Sequence, residues 1–115
     1  MAKHGNVYFL QLSRLIFNDE PYKSLSVNAK WLYVVLKELE QRYTGTNQDY
    51  FWRMNRDLAE DTGFSERTLD RAKAELLKTD LVKSWQAHFI LDKGTSKERL
   101  STKHITCYRV LRKEL

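Results

Sequence analysis

Arg67 and Arg71 are the residues here best suited to act on another molecule. They stand four positions apart in SERTLDRAKAELL, so on a helix one lies above the other on the same face. A guanidinium is a planar fork of donors. It fits two acceptors held side by side, as guanine O6 and N7 are in the DNA major groove. Ser65, Glu66, Thr68, Asp70 and Lys73 belong to the outward side of the same stretch, and the two hydroxyls can donate to phosphate oxygens. The plain alternative is a solvated surface. There the arginines pair with Glu66, Asp70 or Glu75, and Ser65 is only a helix cap.

A second set of cations is Lys93, Lys97, Arg99 and Lys103, spread over DKGTSKERLSTK. Long basic side chains on a polar, glycine-containing turn suit phosphate or minor-groove contact, although an ordinary soluble turn would carry them too. Lys30 adds a candidate phosphate contact near the start of an earlier helix, where plain exposure explains it as well.

Other chemistry is poorly represented. His4, His88 and His104 have no metal-ligand spacing among themselves or with Cys107, so no metal is expected. There is no phosphate-cradling glycine loop, no nucleophile elbow and no paired carboxylates in a plausible cleft. The expectation is a non-enzyme without cofactors. Trp31, Trp52, Trp85, Phe9 and Phe17 are expected in a core or a dimer interface rather than as base-stacking platforms.

The arginines need elements to position them. Over Asn55 to Leu77, NRDLAEDTGFSERTLDRAKAELL, two helical patterns meet at a turn. Asn55 is placed to cap the first, from about Arg56 to Thr62. Gly63 can take a positive φ and end it, Phe64 plugs the turn, and Ser65 caps a second helix from Glu66 to Lys78. Leu58, Ala59, Phe64, Leu69, Ala72 and Leu76 point inward in this register. Asp57, Glu60 and Asp61 occupy the exposed side of the first helix. This is the helix-turn-helix pattern, whose second helix enters the major groove.

Upstream, Val7 to Leu12 reads as a short extended segment, and Ser13 opens a short helix with Leu15, Ile16 and Phe17 inward. Asn18 to Pro21 is a turn, and Ser26 caps a helix from Val27 to about Tyr43. Ala29, Leu32, Val35, Leu36 and Leu39 form its inner stripe, with Lys30, Lys37, Glu38, Gln41 and Arg42 mostly opposite. Trp31 and Tyr33 flank the stripe and Val34 falls off it. That surplus predicts a second contact, with the N-terminal arm or another subunit. Tyr50 to Met54 predicts a strand of three or four residues. Leu81 tucks under the exit of the second motif helix, Val82 to Leu91 alternates as a strand, Asp92 to Lys103 is a turn, and His104 to Leu111 returns. We place Tyr108 and Val110 inward on that last strand.

The fold expected is mainly α with a small β-sheet. It is a winged helix-turn-helix in one domain, 1–115, with an N-terminal extension: arm 1–25, first helix 26–43, helix-turn-helix 55–78 and β-hairpin wing 82–111. Net charge is +5 over 115 residues, which favours an anionic partner. The last third holds the surplus: residues 86–115 carry 7 Lys/Arg against 3 Asp/Glu, whereas residues 55–85 carry 6 against 7. A single cysteine, no signal-like start and no long apolar run lead us to expect a cytoplasmic protein with no membrane partner.

One stretch is more specific. YFLQLSRLIFNDEPYKSLSVNAKWLYVVLKE resembles the opening of the N-terminal domain of RepA-type plasmid replication initiators of Gram-positive bacteria. Those domains begin with an extended arm and a YKSLS-xx-AK-xx-Y approach to the first helix, here Tyr22, Lys23, Ser24, Leu25, Ser26, Ala29, Lys30 and Tyr33. SERTLDRAKAELLKTDLV is similar to winged helices in those initiators, in phage replisome organisers and in many repressors. Two features depart from the family: a short loop after the first helix, and no sign of the further domain such initiators carry. The resemblance implies a homodimer on repeated or palindromic sites in double-stranded DNA, with a further domain or replisome proteins as additional partners. The alternatives are a transcriptional repressor of a mobile element and a winged helix used only for protein–protein assembly in a replisome.

Overall fold

The computed structural model describes residues 20–43 and 49–111. The expected arm strand and short helix, and most of the Thr44–Asp49 loop, lie outside them. Three helices and a three-stranded antiparallel sheet follow one another as α1 (Val27–Tyr43), β1 (Phe51–Trp52), α2 (Asn55–Thr62), α3 (Glu66–Leu76), β2 (Val82–Leu91) and β3 (Arg99–Val110). The sheet order is β1-β3-β2.

The helix α1 begins where expected, because the Ser26 hydroxyl accepts from the Ala29 N–H at 3.2 Å. Its burial is wider than one stripe. Ala29, Leu32, Leu36 and Leu39 are buried as read, but so are Tyr33, Val34, Lys37 and Glu40. Lys37 is therefore not on a solvated face, and Val34 is core. The reason lies in the neighbours: α1 packs against α2, α3, β1 and β3, which leaves little of its circumference free. The Glu40 carboxylate accepts from the Val110 N–H at 3.2 Å, tying α1 to the end of β3.

Gly63 sits at φ 80°, and its N–H bonds the Ala59 carbonyl at 2.9 Å, so α2 ends in the left-handed cap that glycine permits. The side chains of Leu58, Ala59, Leu69, Ala72 and Leu76 are buried, with Phe64 packed against them. Asn55 departs from expectation. It is the first helical residue, and Met54 holds the cap position without a side-chain bond. The helix α3 ends at Leu76 rather than Lys78.

In the sheet β1 is only two residues long, held by Phe51 opposite Tyr108 and Trp52 opposite Cys107. β2 spans the expected residues, and β3 starts at Arg99, five positions before His104. The turn between them is correspondingly short, and a register shift lies between His88 and Ile90. Tyr108 and Val110 point inward as expected, against Phe51, Leu81 and Val82. No described helix is long and apolar enough to cross a membrane.

Candidate nucleic-acid interface

Positioning of α3 starts at its cap. The Ser65 hydroxyl accepts from the Thr68 N–H at 3.1 Å and lies 3.0 Å from the Thr68 hydroxyl. Both hydroxyls are engaged in fixing the first turn. At the other end, the Glu75 carboxylate accepts from the Ser26 N–H and hydroxyl, each at 2.7 Å, and so clamps α3 to the start of α1. Those two bonds hold the Glu75 carboxyl below its ordinary range.

Arg67 and Arg71 project from this clamped helix into solvent. Ion pairs join Arg42 to Glu38, Arg53 to Asp61, Arg99 to Asp92 and Arg109 to Asp49, and neither Arg67 nor Arg71 takes part in them. The acids of the helix are directed elsewhere. Glu75 holds Ser26, while Glu66 and Asp70 are each 3.5 Å from the Asn55 amide nitrogen. That separation is at the outer limit of a hydrogen bond.

Lys73 is not on the outward face with them. Its ammonium donates to the Asn55 side-chain oxygen at 3.1 Å and lies 5.5 Å from the centre of the Tyr108 ring. Burial pushes the Lys73 pKa down. Helical spacing explains the difference: Lys73 is three positions after Asp70 and turns with it toward α2 and the sheet. Burial also pushes the Tyr108 phenol up, and its hydroxyl has no partner among the described residues. Asn55 thus serves as a bridge from α2 to α3. Its sequence signal, a polar residue ahead of a helix, is equally that of a cap.

The hairpin cations lie apart from this group. Lys93, Lys97, Arg99 and Lys103 are all exposed, and no described hydrogen bond or ion pair joins them to α3. Arg99 pairs with Asp92 across the turn at 2.9 Å. Lys30 is half-buried on α1.

The sequence reading missed an aromatic groove on the sheet. Trp52 and Trp85 both stand opposite Cys107 in the register, so the three share the sheet face away from Phe51 and Tyr108. Trp52 is 43% exposed and meets Phe89 edge-to-face at 5.3 Å. Trp52, expected in a core or a dimer interface, lies outside the buried core. On the sheet's other face, the His88 and His104 rings meet across the strands, tilted, with centroids 4.4 Å apart. No group of three His, Cys, Asp or Glu residues suited to a metal occurs among the described residues.

No protein-family model, no curated protein and no solved structure matches this chain. The resemblance to RepA-type initiators rests on the residues quoted for it.

Proposed function

We propose that this chain is a winged helix that binds double-stranded DNA sequence-specifically, with α3 in the major groove and the β2–β3 hairpin as its wing. The observation that carries the reading is the pair Arg67 and Arg71: exposed, one helical turn apart, and free of ion pairs among the described residues. Each can present its fork to a guanine edge without first breaking an ion pair. The exposed wing lysines supply the sequence-independent attraction to phosphates.

The process we propose is replication initiation on a plasmid or phage, by a homodimer on repeated or inverted sites. It is supported by the YKSLS-xx-AK-xx-Y resemblance. A transcriptional repressor would use the same α3 contacts and differ in its target site. Protein–protein assembly is favoured by one feature, the 7 Asp/Glu against 6 Lys/Arg over residues 55–85. Fluorescence anisotropy on a duplex recovered from random DNA tests the reading. Arg67→Ala and Arg71→Ala should each cost roughly 1–3 kcal/mol on that duplex and relax base preference. Parent-like binding by both variants to target and random DNA would falsify the groove assignment.

A further inference from the structure

The outer face of the sheet carries an open groove of about 710 Å³ lined by aromatic side chains. Its floor follows from the register. Trp52 and Trp85 flank Cys107, and Ala87 opposite Ile105 continues the same face. Tyr50 packs against Trp85 at 5.5 Å, and Phe89 stands edge-on to Trp52. Trp52 and Phe89 are 43% and 41% exposed, so two flat apolar ring systems face water beside one another. The rim is mixed in charge. Lys93, Arg53 and Asp57 line the groove, Arg53 pairing with Asp61, and the Arg109 guanidinium, which pairs with Asp49, lies 5.2 Å from the centre of the Trp85 ring. Over residues 82–111 the basic side chains Lys83, Lys93, Lys97, Arg99, Lys103 and Arg109 outnumber the acidic Asp92 and Glu98.

We infer that this groove binds single-stranded nucleic acid, taking unpaired bases against Trp52 and Phe89 and the phosphate chain along Lys93. Every base has a face that stacks on an aromatic side chain, and a basic groove tracks the backbone. The volume falls within the usual range for sites that enclose small flat ligands. Inside a duplex each base face is already covered by its stacked neighbours, so a duplex does not fit the groove. The basic surplus of the hairpin, 6 Lys/Arg against 2 Asp/Glu over residues 82–111, is matched by a phosphate chain and not by the same hairpin of a second copy. The aromatic floor is separate from α3, and Lys93 is the residue that the groove shares with the wing proposed for duplex DNA.

The test is quenching of tryptophan fluorescence by an oligothymidylate of about 12 nucleotides, a length within known single-strand site sizes. An abasic oligomer of the same length serves as the control. We expect saturable quenching, at least about tenfold weaker binding of the abasic strand, and a loss of about fivefold to a hundredfold in Trp52→Ala and in Phe89→Ala. Phe89→Ala keeps the test valid should Trp52→Ala fold poorly, because Phe89 lies beyond the core on the hairpin. Arg67→Ala and Arg71→Ala should bind the oligothymidylate like the parent. Absence of binding, equal binding of the abasic strand, or parent-like affinity in a folded Phe89→Ala would overturn the inference. So would a change in oligomeric state caused by Phe89→Ala, which would reassign the groove to a protein partner.

Discussion

At the residue scale, Arg67 and Arg71 stand exposed one turn apart on α3. Lys73 makes an inward turn instead. It depends on Asn55 and Tyr108 being brought beside it by α2 and β3, and no local pattern encodes that. The distinction is measurable. Lys73→Met should leave duplex affinity within about twofold of the parent, whereas either arginine variant should lose roughly 1–3 kcal/mol. Equal losses at all three positions would put Lys73 back among the contacts. Glu75 makes a second prediction. Its carboxyl is held below its ordinary value of 4.5 by the Ser26 hydroxyl and N–H. A depressed carboxylate contributes stability that is present above the unfolded-state value and is lost as pH falls through the folded one. Thermal melts from neutral pH to below about 4.5 should therefore show a shallower acid loss in Glu75→Gln than in the parent. Identical slopes would show that the clamp contributes nothing.

At the element scale, helices were read more closely than strands. Val27–Tyr43 matches its expected bounds because an apolar stripe and a serine cap mark it locally. Gly63 fixed the end of α2 through its left-handed φ. The start of β3 was missed because Arg99 to Lys103 look like turn residues, and their extended form comes from pairing with β2 across the His88/Ile90 irregularity. Reading β1 as three or four residues overestimated it, since an aromatic run does not reveal how many partners a strand finds. The extended hairpin carries its own prediction. Neutralising Lys97, Arg99 and Lys103 together should weaken binding to all duplexes about equally. It should also lower the slope of log affinity against log salt by up to about three. Arg99 is expected to count with the two lysines, because its exposed pair with Asp92 is of the weak kind that gives way to phosphate. An unchanged slope would show that the hairpin stays off the DNA.

At the scale of the whole molecule, the apolar surplus on α1 is smaller than the sequence implied. Val34 is buried within the chain, and Trp31 donates its indole N–H to the Thr62 carbonyl at 2.8 Å. Trp31 still exposes 44% of its surface beside an open groove of about 210 Å³ lined by Val35 and Leu39. We propose a homodimer, because exposed Trp31 and its groove form an apolar patch that a second copy can cover. Sedimentation at micromolar concentration should give twice the chain mass of 13.7 kDa. A species of single mass would remove the dimer and leave each α3 to act alone. Sequence-specific recognition by α3 is tested most directly by selecting bound duplexes from a random pool, in parallel with the parent and with an Arg67→Ala/Arg71→Ala double variant. The expected result is one enriched motif for the parent, repeated or inverted at a spacing near one helical turn, and its loss in the double variant. A parent that enriches no motif, or a double variant that enriches the same one, would contradict recognition by α3.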